Sequence, residues 1–345
     1  MIDTLAVVGA TGAVGRIIVE LLLERQFPAR NLKLLASARS AGRPLEVKGT
    51  SLDVEELTPD SFAGVDVAIG STPDEVAAEF VPWAVERGTV VVDESAFFRM
   101  QSDVPLVIPE VNPEALTAHR GIIASPNCST TQMVMVIKPL HDAARVTRVV
   151  ASTYQAVSGA GLAACEELRQ GAAAWLAGNE SPRQVFPHPI AANLIPQIGS
   201  HKDRGFTSEE MKMVHETRKI LGDESIGLCV TCVRAPVADC HSESLLIETE
   251  RKLSVDEARQ LLAGAAGVVV DDELTAMRYP TPLGCRGRDE VFVGRIREDD
   301  SCPAGIALWC VSDNLRKGAA TNAVQIAERL ASDPVALAGA GRSGG

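Results

Sequence analysis

A cysteine followed by three hydroxyl residues is the first place in this sequence where covalent chemistry is possible. Cys128 lies in the segment Ser125-Pro126-Asn127-Cys128-Ser129-Thr130-Thr131, between an apolar run (121–124) typical of a buried strand and a helix-compatible run (132–141). A thiol at a helix start faces exposed N–H groups and the positive end of the helix dipole, and both favour the nucleophilic thiolate. The alternative is an inert structural cysteine, because cysteine is among the most buried residue types.

Three further polar residues could assist a thiol nucleophile. Gln155 follows the β-prone run 149–154 and precedes a loop of small residues, where its amide could orient a carbonyl or simply cap the surface. Arg234 and His241 flank a short bend between two predicted strands, so both could reach one cleft. There they would serve as a carboxylate clamp and as an acid–base group that titrates near neutral pH.

A charged pair lies on a helix farther along the chain. The segment 207–210 reads Thr-Ser-Glu-Glu, which fits a capping box and predicts a helix body over 211–221. Glu209 and Lys212 are three residues apart and therefore share a face of that helix. Such a pair is most often a solvated salt bridge, so a functional role needs further support.

A glycine-rich turn near the N-terminus indicates a nucleotide site. The strand-like run 5–8 leads into Gly9-Ala10-Thr11-Gly12-Ala13-Val14-Gly15, and 16–25 continues as a helix. In such a unit Gly9 permits the tight turn, Gly12 lets the backbone approach a pyrophosphate, and Gly15 allows the helix to pack closely on the strand. The spacing is G-x-x-G-x-x-G rather than G-x-G-x-x-G, which leaves a purely structural turn as the alternative.

The end of the second predicted strand, 32–36, favours NADP over NAD. An acidic residue near this position usually binds the ribose 2′-hydroxyl of NAD, whereas hydroxyl groups and arginine suit a 2′-phosphate. The chain has Ser37, Arg39 and Ser40 here, and we expect these three residues to contact NADP. A solvated loop is the alternative interpretation.

The order of strands and helices predicts an α/β fold. Further strands are expected at 65–69, 89–93 and 121–124, with a crossover helix over 74–87. This alternation is typical of a doubly wound, mostly parallel sheet of the Rossmann kind. Ligands bind such sheets at the carboxyl ends of the strands, where the glycine turn, 95–99 and Asn127–Cys128 are expected.

Composition excludes several classes of protein. The 345 residues carry a formal net charge of −12, which argues against nucleic acid as a partner. Eight scattered cysteines, no secretory signal and no apolar run of about 20 residues favour free thiols and a cytoplasmic location. We expect no metal, because the Cys229-x-x-Cys232 pair lies on a strand whose side chains alternate between faces. The Gly- and Ala-rich residues 331–345 predict a disordered tail.

Taken together, the motifs resemble the aspartate-β-semialdehyde dehydrogenase family over nearly the whole chain. The order and spacing of the motifs are more specific than any one of them. The segments that carry the resemblance are 9–15, 35–40, 104–112, 126–130, 154–161, 210–212, 233–237 with 241–243, and 309–315.

The resemblance implies a two-domain enzyme of amino-acid biosynthesis. The NADP-binding domain would comprise 1–127 and 313–332, and the catalytic and dimerisation domain, with a mixed sheet, would comprise 128–312, leaving 333–345 as a flexible tail. The implied reaction is the reversible, NADP-dependent reductive dephosphorylation of aspartyl-β-phosphate to aspartate semialdehyde, toward lysine, threonine and methionine. A homodimer is the implied assembly, with a tetramer as the alternative.

The matching positions also imply roles for individual residues. Cys128 would be the nucleophile, Gln155 an orienting group and His241 the acid–base catalyst, while Arg234 would clamp the substrate carboxylate. Glu209 would lie near the substrate amino group, and phosphate would be held by Arg99, Asn127 and Lys212. The implied cofactor contacts are Gly9, Thr11, Gly12, Ala13, Val14, Gly15, Ser37, Arg39, Ser40, Ser158, Gly159, Asn314 and Gln325.

Two segments depart from the family pattern. Asp93-Glu94-Ser95 stands where Asn is expected before Ser or Thr, and 70–73 replaces a more glycine-rich loop. Glu94 would repel bound phosphates unless it turns away or is paired. The rival interpretations are an N-acetyl-γ-glutamyl-phosphate reductase, which uses the same cysteine chemistry, and a non-catalytic dinucleotide-binding paralogue.

Overall fold

The computed structural model describes residues 2–340, which fall into two compact units. The first comprises Met1–Asn127 and Ala319–Gly345, and the second comprises Cys128–Gly318. Each unit is built around its own six-stranded sheet. The α/β class predicted from the order of strands and helices is confirmed.

The first unit is a doubly wound domain. Its strands are β1 (Ile2–Val8), β2 (Ala29–Ala36), β3 (Leu45–Val47), β4 (Thr50–Leu52), β5 (Val54–Glu56), β6 (Val67–Gly70), β7 (Val90–Asp93) and β8 (Ile122–Ala124). Its helices are α1 (Ala13–Glu24), α2 (Asp74–Glu86), α8 (Thr321–Ser332) and α9 (Pro334–Ala338).

A parallel sheet in the order β5-β2-β1-β6-β7-β8 forms the centre of this unit, and β3 and β4 pair separately as a small hairpin. Its central strands read as continuous apolar runs because helices cover both faces, and Val67–Gly70 and Val90–Asp93 are buried throughout. Helix α8 contributes Val324, Ile326 and Leu330 to the same core.

The second unit carries a mixed sheet. Its helices are α3 (Cys128–Ala144), α4 (Leu162–Leu176), α5 (Ser208–Leu221), α6 (Val255–Ala263) and α7 (Pro282–Cys285). Its strands are β9 (Val146–Gln155), β10 (Gly227–Arg234), β11 (His241–Thr249), β12 (Val268–Val270), β13 (Val291–Glu298) and β14 (Gly305–Ser312). The strand order is β10-β9-β11-β14-β13-β12, antiparallel at the centre and parallel at both edges.

Three boundaries differ from the sequence predictions. Helix α3 begins at Cys128 instead of Gln132, and β11 begins at His241, four residues before the strand that the sequence predicts over 245–248. The composition of 314–330 also predicts one long terminal helix. That prediction is wrong, because a π-helical turn, Arg316–Ala320, precedes α8.

The predicted tail is also wrong in its first part. Residues 334–338 form α9, where Ala336 is buried and Asp333 caps the helix by accepting the Val335 N–H. The remainder of the predicted tail, 341–345, lies outside the described residues. Within residues 2–340, no helix is long and apolar enough to cross a membrane.

Candidate active site

Cys128 is the first residue of the 17-residue helix α3 and is partly exposed. The helix has no acidic side chain in its first turn, so the N-terminal N–H groups and the helix dipole favour an anion there. Gly318 lies against it, and a Cβ built on Gly318 would come within 2.8 Å of the Cys128 Cβ. Gly318 was not foreseen, although a glycine inside a helical pattern is a signal of close packing or function.

Four of the other cysteines are less exposed than Cys128, whereas Cys165 and Cys302 are partly exposed like Cys128. Cys232, Cys240, Cys285 and Cys310 are buried, and burial raises the pKa of each thiol, that of Cys285 to about 11. Buried neutral thiols of this kind are inert. Cys229 is exposed whereas Cys232 is buried, so the two point to opposite faces of β10. All eight cysteines are free, and no group of three or more His, Cys, Asp or Glu within 2–340 is placed to hold a metal.

Gln155 is held by a chain of side-chain hydrogen bonds at the end of β9. The Thr153 hydroxyl donates to Gln155 Oε1 at 2.9 Å, and Gln155 Nε2 donates to Glu209 Oε1 at 3.2 Å. Lys212 Nζ donates to Glu209 Oε2 at 3.3 Å. The sequence hides the role of Thr153, although its position two residues before Gln155 places both side chains on one face of the strand.

The Glu209–Lys212 pair is not a solvated salt bridge. The Glu209 side chain is 9% exposed and that of Lys212 is 34% exposed, so the carboxylate is removed from water. The predicted capping box at the start of α5 is confirmed, because the Thr207 side chain accepts from the Glu210 N–H and the Glu210 carboxylate accepts from the Thr207 N–H. This cap fixes the helical turn that carries Glu209.

Arg234 ends β10 and is buried. Its Nη1 donates to the Ala156 carbonyl at 2.6 Å, and burial lowers the pKa of the guanidinium while the nearby Cys128 and Glu209 oppose that shift. Arginine stays protonated in proteins, so a fixed positive charge lies within electrostatic reach of the Cys128 thiol. This charge favours both a thiolate and a carboxylate ligand.

His241 begins β11 and is fully buried. Its Nδ1 accepts the Ala156 N–H at 3.0 Å, which places the ring proton of the neutral form on Nε2. The expectation that His241 titrates near neutral pH is wrong, because burial, and then the Arg234 charge, hold its pKa well below the ordinary histidine range. His241 is therefore a neutral imidazole at pH 7, and its buried Nε2 has no partner among the described residues.

The backbone before His241 is held in an unusual conformation. Cys240 has a φ of +71°, a left-handed value that is uncommon for a side-chain-bearing residue. Its N–H donates to Asn314 Oδ1 at 3.0 Å, and Asn314 Nδ2 donates to the Ser158 hydroxyl at 3.1 Å. Ser158 and Asn314, both predicted to contact the cofactor, thus also fix the entry into β11.

The lack of a side chain at Gly159 leaves room for the side chains of Arg234 and His241. A Cβ built on Gly159 would lie 3.1 Å from Arg234 Nη1 and 3.4 Å from His241 Nε2. A side chain here would crowd the faces of the guanidinium and imidazole. The structure therefore brings Gly159 together with Arg234 and His241 within the second unit.

Arg99 and Asn127 belong to the first unit. Arg99 is buried, and its guanidinium donates to the carbonyls of Ser125 at 2.9 Å and Glu94 at 2.7 Å. Asn127 is also buried and lies two residues beyond Ser125. Both side chains thus lie where the chain leaves β7 and β8, at the carboxyl edge of the parallel sheet.

The glycine turn fits a dinucleotide phosphate. Gly9 has a φ of +81°, and a Cβ on it would meet the Ser71 carbonyl oxygen at 2.2 Å. A Cβ on Gly15 would meet the Gly9 carbonyl oxygen at 2.1 Å, so helix and strand are in close contact. Gly12 is less confined and caps α1 without a side-chain hydrogen bond. The N–H groups that begin α1, at Ala13 and Val14, are thereby available to an anion.

Other predicted cofactor contacts lie in separate places. Ser37 and Arg39 are exposed in the turn after β2, where the Ser40 N–H donates to the Ser37 carbonyl at 2.8 Å. Thr11 lies in the glycine turn, and its carbonyl accepts the Arg16 Nε–H. Gln325 lies on α8 and donates to Glu110.

The departure from the family pattern at Asp93 and Glu94 places two carboxyl groups largely out of contact with water. Asp93 is fully buried and accepts the Ser95 hydroxyl, and burial raises its pKa to about 6. Glu94 is half-buried with a shielded Oε1, and burial raises its pKa to about 8 against an opposing hydrogen bond from Ser71. At neutral pH Glu94 is therefore mostly a neutral acid, which removes the expected repulsion toward phosphate.

Known proteins are similar to this chain over most of its length. Two family models match, "Semialdehyde dehydrogenase, NAD binding domain" over residues 4–119 and "Semialdehyde dehydrogenase, dimerisation domain" over residues 137–317. A curated aspartate-semialdehyde dehydrogenase of Aquifex aeolicus is 51% identical over 329 residues, which are 94% of this chain and 97% of that protein.

Solved structures show the same similarity. Aspartate semialdehyde dehydrogenase II of Vibrio cholerae, complexed with ASA, superposes with a TM-score of 0.93 at 44% identity, covering 96% of this chain and 99% of that chain. The Candida albicans enzyme with NADP gives a TM-score of 0.77 at 26% identity, covering 97% and 100% of the two chains. The chain belongs to the aspartate-semialdehyde dehydrogenase family.

Proposed function

We propose that this protein catalyses the reversible, NADP-dependent conversion of aspartyl-β-phosphate into aspartate semialdehyde and phosphate through a thioester on Cys128. The observation that carries the proposal is the grouping within the second unit. A partly exposed thiol at a helix start lies within electrostatic reach of Arg234, and His241 and Arg234 both bond to Ala156. A binding module needs none of this arrangement, which argues against the non-catalytic paralogue.

The thiolate supplies the covalent step. Attack of Cys128 on the acyl phosphate breaks the bond to phosphate and leaves a thioester, which can later release an aldehyde because a thiolate is also a good leaving group. His241 donates from its Nε2–H to the oxygen on which negative charge develops, as a neutral imidazole can. Gln155, held between Thr153 and Glu209, orients the reacting carbonyl.

Charged side chains select the substrate. Arg234 offers a fixed guanidinium to the α-carboxylate, and Glu209 faces the substrate amino group. Lys212 is assigned to phosphate, together with Arg99 and Asn127 of the first unit, by their positions in the family motifs. A free amino acid therefore suits these charges better than the acetylated substrate of the reductase rival.

The glycine turn and the exposed loop after β2 fit NADP. The N–H groups at the start of α1 would hold the pyrophosphate, and Ser37, Arg39 and Ser40 would hold the 2′-phosphate. Ser158, Gly159, Asn314 and Gln325 stay assigned to the cofactor by the family resemblance. When bound, NADPH supplies the hydride that reduces the thioester.

The decisive assay is phosphate-dependent oxidation of aspartate semialdehyde with NADP and, in parallel, with NAD. We expect activity with NADP, little inhibition by N-acetylglutamate semialdehyde, and a loss of at least about 1000-fold in kcat for Cys128→Ala. Cys128→Ser, which keeps the size but not the nucleophilicity, is the matched control and should be nearly as inactive. An active Cys128→Ala protein with an intact fold would refute the mechanism.

Assembly and location are further parts of the proposal. The match to a family dimerisation domain over 137–317 supports a homodimer, which sedimentation would test against a tetramer. Eight free thiols favour a reducing compartment such as the cytoplasm.

A further inference from the structure

A buried carboxyl group connects the strand of His241 with the helix of Cys128. Glu243 lies two residues after His241 on β11, so the two side chains share a face of the sheet. Gln132 lies one helical turn after Cys128 on α3, and Cys310 is the direct neighbour of Glu243 across β11 and β14. Glu243, Gln132 and Cys310 are all at most 1% exposed.

These three side chains form one polar network. The Cys310 thiol donates to Glu243 Oε2 at 3.6 Å, and Gln132 Nε2 lies 4.0 Å from the Cys310 sulfur, so the thiol links the side chain from α3 to the carboxyl on β11. Two buried oxygens, Glu243 Oε1 and Gln132 Oε1, receive no donor from any described residue. A protonated Glu243 supplies the missing donor, whereas an ionised carboxylate adds a further unsatisfied charge.

The surroundings favour that neutral form. The ionisable groups that interact with Glu243 are the thiols of Cys310 on β14 and Cys232 on β10, and His241 lies two residues before it on its own strand. Glu209 and Glu210 of α5 act on the same Cys232 thiol. Burial raises the Glu243 pKa to about 8, with the Gln132 and Cys310 contacts opposing it, and no cation of the described chain is among the causes. Ionisation would therefore place an unpaired negative charge in the network that contains Gln132, one helical turn from the nucleophile.

We propose that Glu243 is a positioning residue that, as a neutral acid, holds α3 against β11 and thereby aligns Cys128 with His241. This inference rests on the proposed function. Above neutral pH, ionised Glu243 loosens the network and opposes the thiolate, so the residue limits activity on the alkaline side.

Glu243→Gln tests the protonation state, because an amide keeps the size and donor of the neutral acid but cannot ionise. From pH 7 to about 9.5 we expect wild-type kcat to fall at least about fourfold more than that of Glu243→Gln. Glu243→Ala should lower kcat at least about tenfold with KM nearly unchanged, and Glu243→Gln should recover most of that loss.

Glu167→Gln is the matched control. Glu167 is a buried carboxylate of the same unit, but it accepts backbone N–H groups at residues 184–186, away from the Glu243 network. Its substitution should leave the wild-type pH profile unchanged. Superimposable profiles of wild type and Glu243→Gln, or an unimpaired Glu243→Ala, would overturn the inference.

A second measurement needs neither substrate nor cofactor. The rate at which iodoacetamide alkylates Cys128, followed by peptide mass spectrometry, should rise less steeply above about pH 8 in wild type than in Glu243→Gln. If the alkylation profiles differ but the wild type has no dehydrogenase activity, only the proposed function fails. If the enzyme is active and the alkylation profiles coincide, the positioning role fails.

Discussion

His241 shows how the surroundings of one residue change its chemistry. The residue type indicated a group that titrates near neutral pH, whereas burial and the nearby Arg234 charge keep the imidazole neutral. Sequence spacing could predict that His241 and Arg234 share a region. It could not predict the missing hydration, because burial is set by residues far away in the chain.

A depressed histidine pKa predicts a stability change on the acid side. In the unfolded chain His241 takes up a proton near pH 6.5, whereas in the folded protein its pKa is well below that value. The free energy of unfolding should therefore fall as the pH drops below about 6.5. His241→Gln, which cannot protonate, should show a shallower fall between about pH 6.5 and 4.5 in urea denaturation. Equal slopes in the two proteins would contradict the depressed pKa.

Glu94 leads to a prediction about cofactor affinity. Because its carboxyl is mostly neutral at pH 7 and ionises near pH 8, NADP affinity should weaken at higher pH by a few fold. Glu94→Gln should bind NADP with a flatter pH dependence in calorimetric titrations. Ser95→Ala, beside the same loop, controls for damage to the loop, and a profile in Glu94→Gln as steep as that of the wild type would exclude this role.

The helices and strands were predictable where apolar residues recur at a regular spacing along the chain. The strands of the first sheet other than β5, helix α2 and the capping box of α5 follow directly from apolar runs and cap residues. The π-helical turn did not, since Arg316–Ala320 has a largely helical composition and the wide turn occurs where Gly318 lies against Cys128 in the folded chain. The short strands β3, β4, β5 and β12 were missed because three residues carry no period.

The π-helical turn predicts a sensitive position. Gly318→Ala places a methyl group where only 2.8 Å separates it from the Cys128 Cβ, so the thiol must shift. We expect kcat to fall by about 10- to 100-fold while the far-ultraviolet circular dichroism is unchanged. Gly222→Ala, where a Cβ meets no atom within 4 Å, is a control for backbone strain, since Gly222 has a φ of +65°. Full activity of Gly318→Ala would show that the thiol tolerates displacement.

At the scale of the whole molecule, a protein with a net charge of −12 is expected to repel its dianionic substrate. Exposed charges are screened within about 8–10 Å in physiological salt, whereas the buried Arg234 is screened much less. The local cation should therefore determine the potential at Cys128. The composition argued against nucleic acid as a partner but could not reveal this local cation beside the thiol.

The electrostatic potential at Cys128 can be measured with two alkylating agents. Anionic iodoacetate should react with Cys128 faster, relative to neutral iodoacetamide, than it does with a small free thiol, by about two- to tenfold. Arg234→Gln should abolish that preference, and Arg234→Lys should keep most of it. A preference unaffected by Arg234→Gln would assign the potential to another group.

The main chain of Ala156 holds two side chains of the proposed active site. Its N–H fixes His241 and its carbonyl fixes Arg234. A mutation at position 156 changes the side chain but leaves the backbone carbonyl in place. The backbone N–H is lost only if the new residue is proline. Alanine scanning therefore does not test the two backbone contacts that align the imidazole and the guanidinium, and few substitutions at position 156 remove them. Replacement of this amide by an ester, introduced by chemical ligation, removes the N–H and so tests the contact with His241 directly.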